Sequence, residues 1–340
     1  MDLELISRVP EHRTHPDPLL FIHGANAAAW VWDEYVLPWF AERGYAAHAL
    51  SLRGHGHSAG KERLRWASLG DYVDDVHKIV KRLGAPPVLI GHSMGGMIVQ
   101  KYLQTTRAPA AVLMASVPPD GLLESSVRLA WRDPSLFWEI SLVQSLGPQA
   151  ATFGTMRRAL FSDATPDHVI RPYFVNMQAE SPRVIMDMMG LDLPRVDLVR
   201  ANVAGMPLLV CGAAEDAFFP VRLVEQTARA YGTSAEIFPG MAHAMMLEPN
   251  WRRMAERLDR WLRALAPPVV APAPVPTPVV EMAAEPAPAP APTEPVAEPV
   301  AEPVAEPVAE PIAEPKPPAK KPRKPSVRKA KAKQPDPVGS

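Results

Sequence analysis

The chain has 340 residues and a formal net charge of -1, with 36 Lys and Arg against 37 Asp and Glu, so overall charge points to no nucleic-acid or membrane-surface partner. The even balance conceals an asymmetry. Glu281 to Glu314 is acidic and Lys316 to Lys333 densely basic, so any attraction to a polyanion or an anionic surface belongs to the Lys-rich end. The single cysteine, Cys211, excludes an internal disulfide and fits a reducing compartment. No stretch approaches the roughly eighteen apolar residues of a membrane span. The first residues carry Asp2 and Glu4 and no uninterrupted apolar core, unlike a signal peptide, so the expectation is a cytoplasmic protein.

Composition also divides the chain. From Pro267 onward it is almost wholly Pro, Ala, Val, Glu and Lys, without an aromatic residue, and cannot bury enough apolar surface to offset its ordering entropy. Residues 1–266 are therefore expected to fold as one domain and 267–340 to form a disordered tail. Within the tail, Glu-Pro-Val-Ala repeats from Glu294 to Glu314, and a proline at every fourth position blocks helix and favours an extended spacer.

In chain order, a strand is expected within Leu3 to Val9 and a buried one at Leu19 to His23. The latter ends in His23-Gly24-Ala25-Asn26 and leads to a helix over Trp30 to Arg43. Tyr45 to Leu50 reads as the next strand, closing on Ser51-Leu52-Arg53-Gly54-His55-Gly56-His57-Ser58. His55 and His57 lack the nearby carboxylate or cysteine of a recognisable ligand set, so this is a glycine-hinged loop and no metal is expected. Ser68 to Leu83 has helical spacing, with Ser68 and Asp71 as cap residues and Gly84 as its end.

The short apolar run Val88 to Ile90 stops at Gly91-His92-Ser93-Met94-Gly95 before a helix over Gly96 to Leu103. A strand that reverses into a helix this quickly forces the residue at the turn into a strained backbone and demands small flanking residues, here Gly91 and Gly95. Ser93 then projects from the sheet edge as a nucleophile. The amide of Met94 stands at the helix N-terminus, where an unpaired N–H stabilises an oxyanion, and the amide of Ala25 past its own strand end is the second donor. A serine that only caps a helix would need no partners elsewhere.

After a strand at Ala111 to Ala115 the strand-helix alternation breaks for about ninety residues. This stretch, about 119–203, reads as a helical insertion rich in aromatics (Trp131, Phe137, Trp138, Phe161, Tyr173) and methionines (Met186, Met188, Met189), most of them expected in its core. An insertion here sits above the strand ends, where ligands bind in open parallel sheets, and is read as a cap over Ser93. Alternation resumes with strands at Pro207 to Gly212 and Ala235 to Phe238 and helices at Val221 to Tyr231 and Asn250 to Leu265. Cys211 reads as a small buried hydrophobe. The strand-end loops supply carboxylates at Glu215-Asp216 and a histidine at His243, in the chain order Ser93, Asp216, His243 expected of one arrangement of the serine triad.

With these motifs the chain resembles the α/β-hydrolase superfamily from Leu19 to Leu265. The matches are His23-Gly24, Arg53-Gly54-His55-Gly56 with Ser58, Gly91-His92-Ser93-Met94-Gly95-Gly96, Asp216 with Pro220, and Gly240 with His243, Glu248 and Pro249. The elbow is similar to that of monoacylglycerol lipases and many small carboxylesterases. The resemblance implies an α/β-hydrolase fold with a mostly parallel sheet and a cofactor-free serine hydrolase acting on a small ester with apolar groups. Acyl transfer, haloperoxidase-like chemistry and carbon-carbon bond hydrolysis stay open on the same triad, as does a binding protein that has lost activity. Ser51 departs from the aspartate that many relatives carry before the Arg-Gly-His-Gly run. Glu215 beside Asp216 leaves two candidate acids, of which the spacing to Pro220 favours Asp216.

Truncation after Leu265 is therefore expected to leave turnover of a small soluble ester unchanged. Retention of the full chain on heparin at low salt, and its loss on truncation or on added salt, is the accompanying measurement.

Overall fold

A computed structural model describes residues 1–265 of the chain. The expectations for the tail (disorder, spacer repeat, basic end) lie outside the described residues.

Among the described residues, strands β1 (Leu5–Arg8), β2 (Leu19–Ile22), β3 (Ala47–Leu50), β4 (Val88–His92), β5 (Ala111–Met114), β6 (Leu208–Ala213) and β7 (Ala235–Phe238) form one sheet in the order β1-β3-β2-β4-β5-β6-β7. Only β1 runs antiparallel. β2, β3, β4 and β5 are buried at every position, which is why they read as continuous apolar runs. Alternate residues supply two cores. Leu19, Phe21, Ile90 and Met114 face one side, and Leu20, Ile22, Leu89 and Leu113 the other. Helices α1 (Trp30–Asp33) and α2 (Val36–Ala41) cover the first face, and α3 (Leu69–Leu83) and α4 (Met94–Tyr102) the second.

α3 begins as its sequence dictates, with Ser68 accepting from the Asp71 amide and Asp71 from the Ser68 amide, and it ends at Gly84 with φ 72°. The reciprocal pair satisfies two of the orphan amides of the first turn. The helix expected over Trp30 to Arg43 is instead two short helices. Pro38 has no N–H to donate to the Glu34 carbonyl one turn back, so the helical ladder fails there and Tyr35 leaves helical geometry.

Between β5 and β6 the chain forms α5 (Leu123–Arg132), α6 (Pro134–Leu146), α7 (Phe153–Leu160), α8 (Asp167–Val175), α9 (Pro182–Met186) and α10 (Val196–Val203). Their inward residues, including Leu129, Leu136 and Tyr173, are buried. Trp131 and Trp138, expected inside, are 85% and 64% exposed, because Leu129 and Leu136 already occupy the inward faces of their helices. Met186 is exposed as well, while Met188 is buried. The last two helices, α11 (Val221–Ala230) and α12 (Trp251–Leu265), follow β6 and β7. Cys211 is fully buried on β6, and burial, with Glu236 adding, pushes its thiol up to about 12. It stays protonated and unreactive.

The loop after β3 is joined to the insertion by a buried ion pair. His55 donates from Nδ1 to the Arg53 carbonyl at 3.1 Å, and its Nε2 lies 3.2 Å from Glu180 Oε2, both side chains fully buried. The approach is too oblique to count as a hydrogen bond, and neither atom has another partner among the described residues. The other Glu180 oxygen accepts from the Tyr72 hydroxyl at 2.6 Å and from the Ser181 amide at 2.7 Å. Burial opposes charge on both groups, but their mutual attraction outweighs it and holds His55 above, and Glu180 below, the ordinary range. The contribution of His55 is therefore full below about 6.5 and fades as pH rises through its raised value. That of Glu180 is full above about 4.5 and fades as pH falls through its lowered one. Glu180→Gln is expected to lower unfolding free energy by about 3 kcal/mol near pH 5.5, with a smaller deficit in alkaline buffer. Urea unfolding of both proteins at the two pH values measures it.

Candidate active site

The carboxyl ends of β2, β4, β6 and β7 deliver the candidate residues to one edge of the sheet. Ser93, the first residue after β4, has φ 54° and ψ -118°. Its amide donates to the Met114 carbonyl at 3.0 Å, and its carbonyl accepts from Gly96 at 3.0 Å and from Val117 at 3.1 Å. The neighbouring strand thus holds the strained turn in place. A side chain at Gly91 would strike the Gly95 carbonyl, and one at Gly95 would come within 2.7 Å of the His23 carbonyl oxygen. Glycine is required at both. Gly24 is equally constrained, since its added carbon would lie 2.9 Å from Ser93 Cβ and 3.0 Å from His92 Nδ1.

The described residues hold three non-glycine residues at positive φ: Asn26 at 61°, Ser93 at 54° and Ala115 at 41°. All three lie just past the carboxyl ends of the adjacent strands β2, β4 and β5. Strain of this kind costs about 1–3 kcal/mol per residue and collects where geometry is over-determined by its surroundings.

His243 and Asp216 meet. Nδ1 of His243 donates to Asp216 Oδ2 at 2.8 Å, with both side chains buried. The other oxygen, Oδ1, accepts the amides of Phe218 at 2.8 Å and Phe219 at 3.0 Å, so the carboxylate is fixed by three donors. Glu215 is exposed. The rings of Phe218 and Phe219 lie 4.9 and 5.5 Å from the imidazole and shield it.

The loop carrying His243 is held on both sides. His92 donates from Nε2 to the His243 carbonyl at 2.9 Å, and burial, with the nearby His243 adding, keeps the His92 ring neutral, well below the ordinary histidine range. The fully buried Glu248 accepts the Ala242 amide at 3.0 Å, the Ser162 amide at 2.7 Å, the Ser162 hydroxyl at 2.8 Å and the Thr165 hydroxyl at 2.5 Å. His23 is neutral too. Burial, assisted by His55, pushes it down to about 3, and it donates to the Gly24 carbonyl while accepting the Leu52 amide.

Ser51 donates to Glu4 Oε2 at 2.5 Å and accepts the Ala29 amide at 3.0 Å. The carboxylate missing from position 51 is thus supplied by the segment before β1.

Ser93, His243, Met94, Gly24, Ala25 and His92 border a cavity of about 480 Å³. Its far wall comes from the insertion, with Leu129, Phe137, Ile140, Val143, Met156 and Met188. The amides of Ala25 and Met94 donate no hydrogen bond among the described residues, nor does Ser93 Oγ form one with His243. The sequence reading did not single out Asn26 or Gln144, which border the same cavity. The only local sign was an asparagine just past a strand-end glycine, a residue type that tolerates positive φ.

A mostly parallel sheet with a serine at a strained strand-helix turn and a His–Asp pair on later strand ends defines an α/β-fold hydrolase. Residues 19–257 match the α/β-hydrolase family, and the chain belongs to that family. It is similar to a monoacylglycerol lipase from Mycolicibacterium smegmatis, 24% identical over 242 residues, 66% of this chain and 80% of that one. It is also similar to a non-heme haloperoxidase from Rhodococcus erythropolis, 35% identical over 106 residues, which span 30% of this chain and 38% of the relative. Among solved structures, a thermophilic esterase from Thermogutta terrifontis superposes with a TM-score of 0.59 at 21% identity, covering 77% of this chain and 94% of that one. Among the described residues no helix is long and apolar enough to cross a membrane.

Asp216→Asn is expected to lower kcat on the order of a thousandfold or more, because the amide would favour the wrong imidazole tautomer. Glu215→Gln is expected to stay within about twofold. Steady-state kinetics on one chromogenic ester, with a circular dichroism check of folding, compares the two.

Proposed function

We propose that the protein hydrolyses a carboxylic ester with apolar groups through an acyl-enzyme on Ser93. The observation that carries this reading is the His243–Asp216 hydrogen bond of 2.8 Å beside the strained Ser93, on the rim of a largely apolar cavity. His243 Nε2 takes the proton of Ser93 Oγ as the oxygen attacks the ester carbonyl. Asp216 fixes the ring through Nδ1 and stabilises the imidazolium. The amides of Ala25 and Met94, free of other acceptors, stabilise the tetrahedral oxyanion. His243 then returns the proton to the departing alcohol, and a water activated by the same ring releases the acid. The serine-histidine hydrogen bond closes when substrate expels water, as in many enzymes whose free form has loose catalytic contacts.

On this reading the insertion from about 119 to 203 is a cap whose inner face holds the apolar part of the substrate, and the domain at 1–266 is the catalytic unit. The small apolar ester and the cytoplasmic location belong to the same proposal, as does contact of the basic tail with polyanions. The monoacylglycerol lipase and the esterase among the similar proteins agree with ester cleavage.

Ser93→Ala and His243→Ala are each expected to abolish labelling by a fluorophosphonate probe and to lower ester turnover on the order of a thousandfold or more while the protein stays folded. Near-normal hydrolysis by Ser93→Ala would overturn the reading. A series of p-nitrophenyl esters of rising chain length is expected to show kcat/KM increasing until the cavity is filled.

A further inference from the structure

Past β2 the chain turns through Gly24 and Ala25 into Asn26, which has φ 61°. That turn is bound in both directions to Gln178 of the insertion, 152 positions away. Asn26 Nδ2 donates to the Gln178 carbonyl at 2.9 Å, and the Gln178 amide donates to the Asn26 carbonyl at 3.0 Å. Gln144 of α6 donates to Asn26 Oδ1 at 3.3 Å. Gln178 is itself anchored, its side-chain oxygen accepting the Gly56 amide at 2.9 Å.

We propose that Asn26 is a positioning residue that, through its paired hydrogen bonds with Gln178, aims the Ala25 amide at the oxyanion. The inference rests on the serine-hydrolase reading above. An isolated left-handed residue is free to relax by rotating the peptide before it, and the peptide joining Ala25 to Asn26 is next to the one whose N–H is the donor. Two bonds from a fixed partner prevent that rotation. Asparagine suits the position because it tolerates positive φ and also carries a side-chain donor long enough to reach a facing carbonyl. The donor matters only as charge develops on the substrate oxygen, so its misalignment weakens the transition state more than the bound ester.

The decisive variant is Asn26→Gly, because glycine accepts φ 61° without strain and removes only the side-chain bonds. The expected result is a fall in kcat of about ten- to a hundredfold with KM within about twofold. Affinity for a trifluoromethyl ketone should weaken by the same factor as kcat/KM. Ser93 Oγ adds to that ketone carbon, its proton passes to His243, and the ketone oxygen becomes the oxyanion. Asn26→Asp keeps the tolerance of positive φ but replaces the donor with an acceptor facing the Gln178 carbonyl, and should lose at least as much. Should Asn26→Gly prove unfolded by thermal melting, the aspartate variant decides.

A folded variant with kcat within twofold of wild type overturns the proposal, as does a rise in KM at unchanged kcat, which would make Asn26 a wall residue. Loss of labelling or turnover is attributable to Asn26 only if wild-type protein reacts with fluorophosphonate at Ser93. If it does not, the hydrolase reading fails first, and the two failures are thereby told apart.

Discussion

The candidate site of this protein depends on one steric constraint: β4 must turn into α4 at Ser93 while β2 passes close enough for backbone to touch backbone. Gly95 rests on the carbonyls of Ile22 and His23, and Gly24 on Ser93 itself. Any side chain at these glycines would push β2 away from the elbow. That separation would also move Ala25, because it follows Gly24 directly. Candidate nucleophile and candidate oxyanion donor are thus placed by the same contact. The hydrogen bonds of Ser93 to Met114, Gly96 and Val117 then hold the positive φ against relaxation.

The insertion is tied to the sheet edge by buried polar groups as well as by apolar contact. Glu180 meets His55, Asp187 accepts the Leu69 amide at 2.9 Å where α3 begins, and Glu248 gathers four donors from the His243 loop and the turn after α7. A buried carboxylate short of donors is costly, and each of these has its full set only when the insertion is seated. The seated insertion is therefore a specific arrangement, and its residues between α8 and α9 reach the loops after both β2 and β3. An all-apolar contact of similar area would tolerate sliding, whereas these bonds fix register.

Much of this was legible in the sequence, and the reason is local. Buried parallel strands appear as short unbroken apolar runs, the elbow glycines sit at fixed offsets from Ser93, and Asp216 and His243 each follow a strand by a few residues. What could not be read lies in contacts between distant segments. Nothing in the loop holding His55 announces Glu180, and nothing beside Asn26 announces Gln178, because these partners are brought together only by the path of the insertion. Trp131 and Trp138 were misplaced for a related reason: aromatic character does not say which face of a helix is inward when both faces carry apolar residues. The break before Pro38 was, by contrast, visible in principle, since a proline four residues after Glu34 removes a helical hydrogen bond wherever it occurs.

The cavity wall contains more hydroxyls than its chemistry suggests, and their bonding explains why. Ser125 donates to the Leu122 carbonyl at 2.9 Å, Ser141 to the Phe137 carbonyl at 2.8 Å, Ser145 to the Ser141 carbonyl at 2.8 Å, and Thr155 to Glu139 at 2.6 Å. Each donor is spent within the insertion, so these residues present mainly their carbon atoms to the space they border. A ligand in that half of the cavity gains apolar contact and loses little by having no polar group to offer. Among the described residues, the polar groups bordering the cavity without a partner are the amides of Ala25 and Met94 at the other end, together with Trp30 Nε1 and Gln144 Oε1. On the reading proposed above, an ester with an apolar chain would place that chain against the carbon atoms of the insertion and its carbonyl near the amides of Ala25 and Met94.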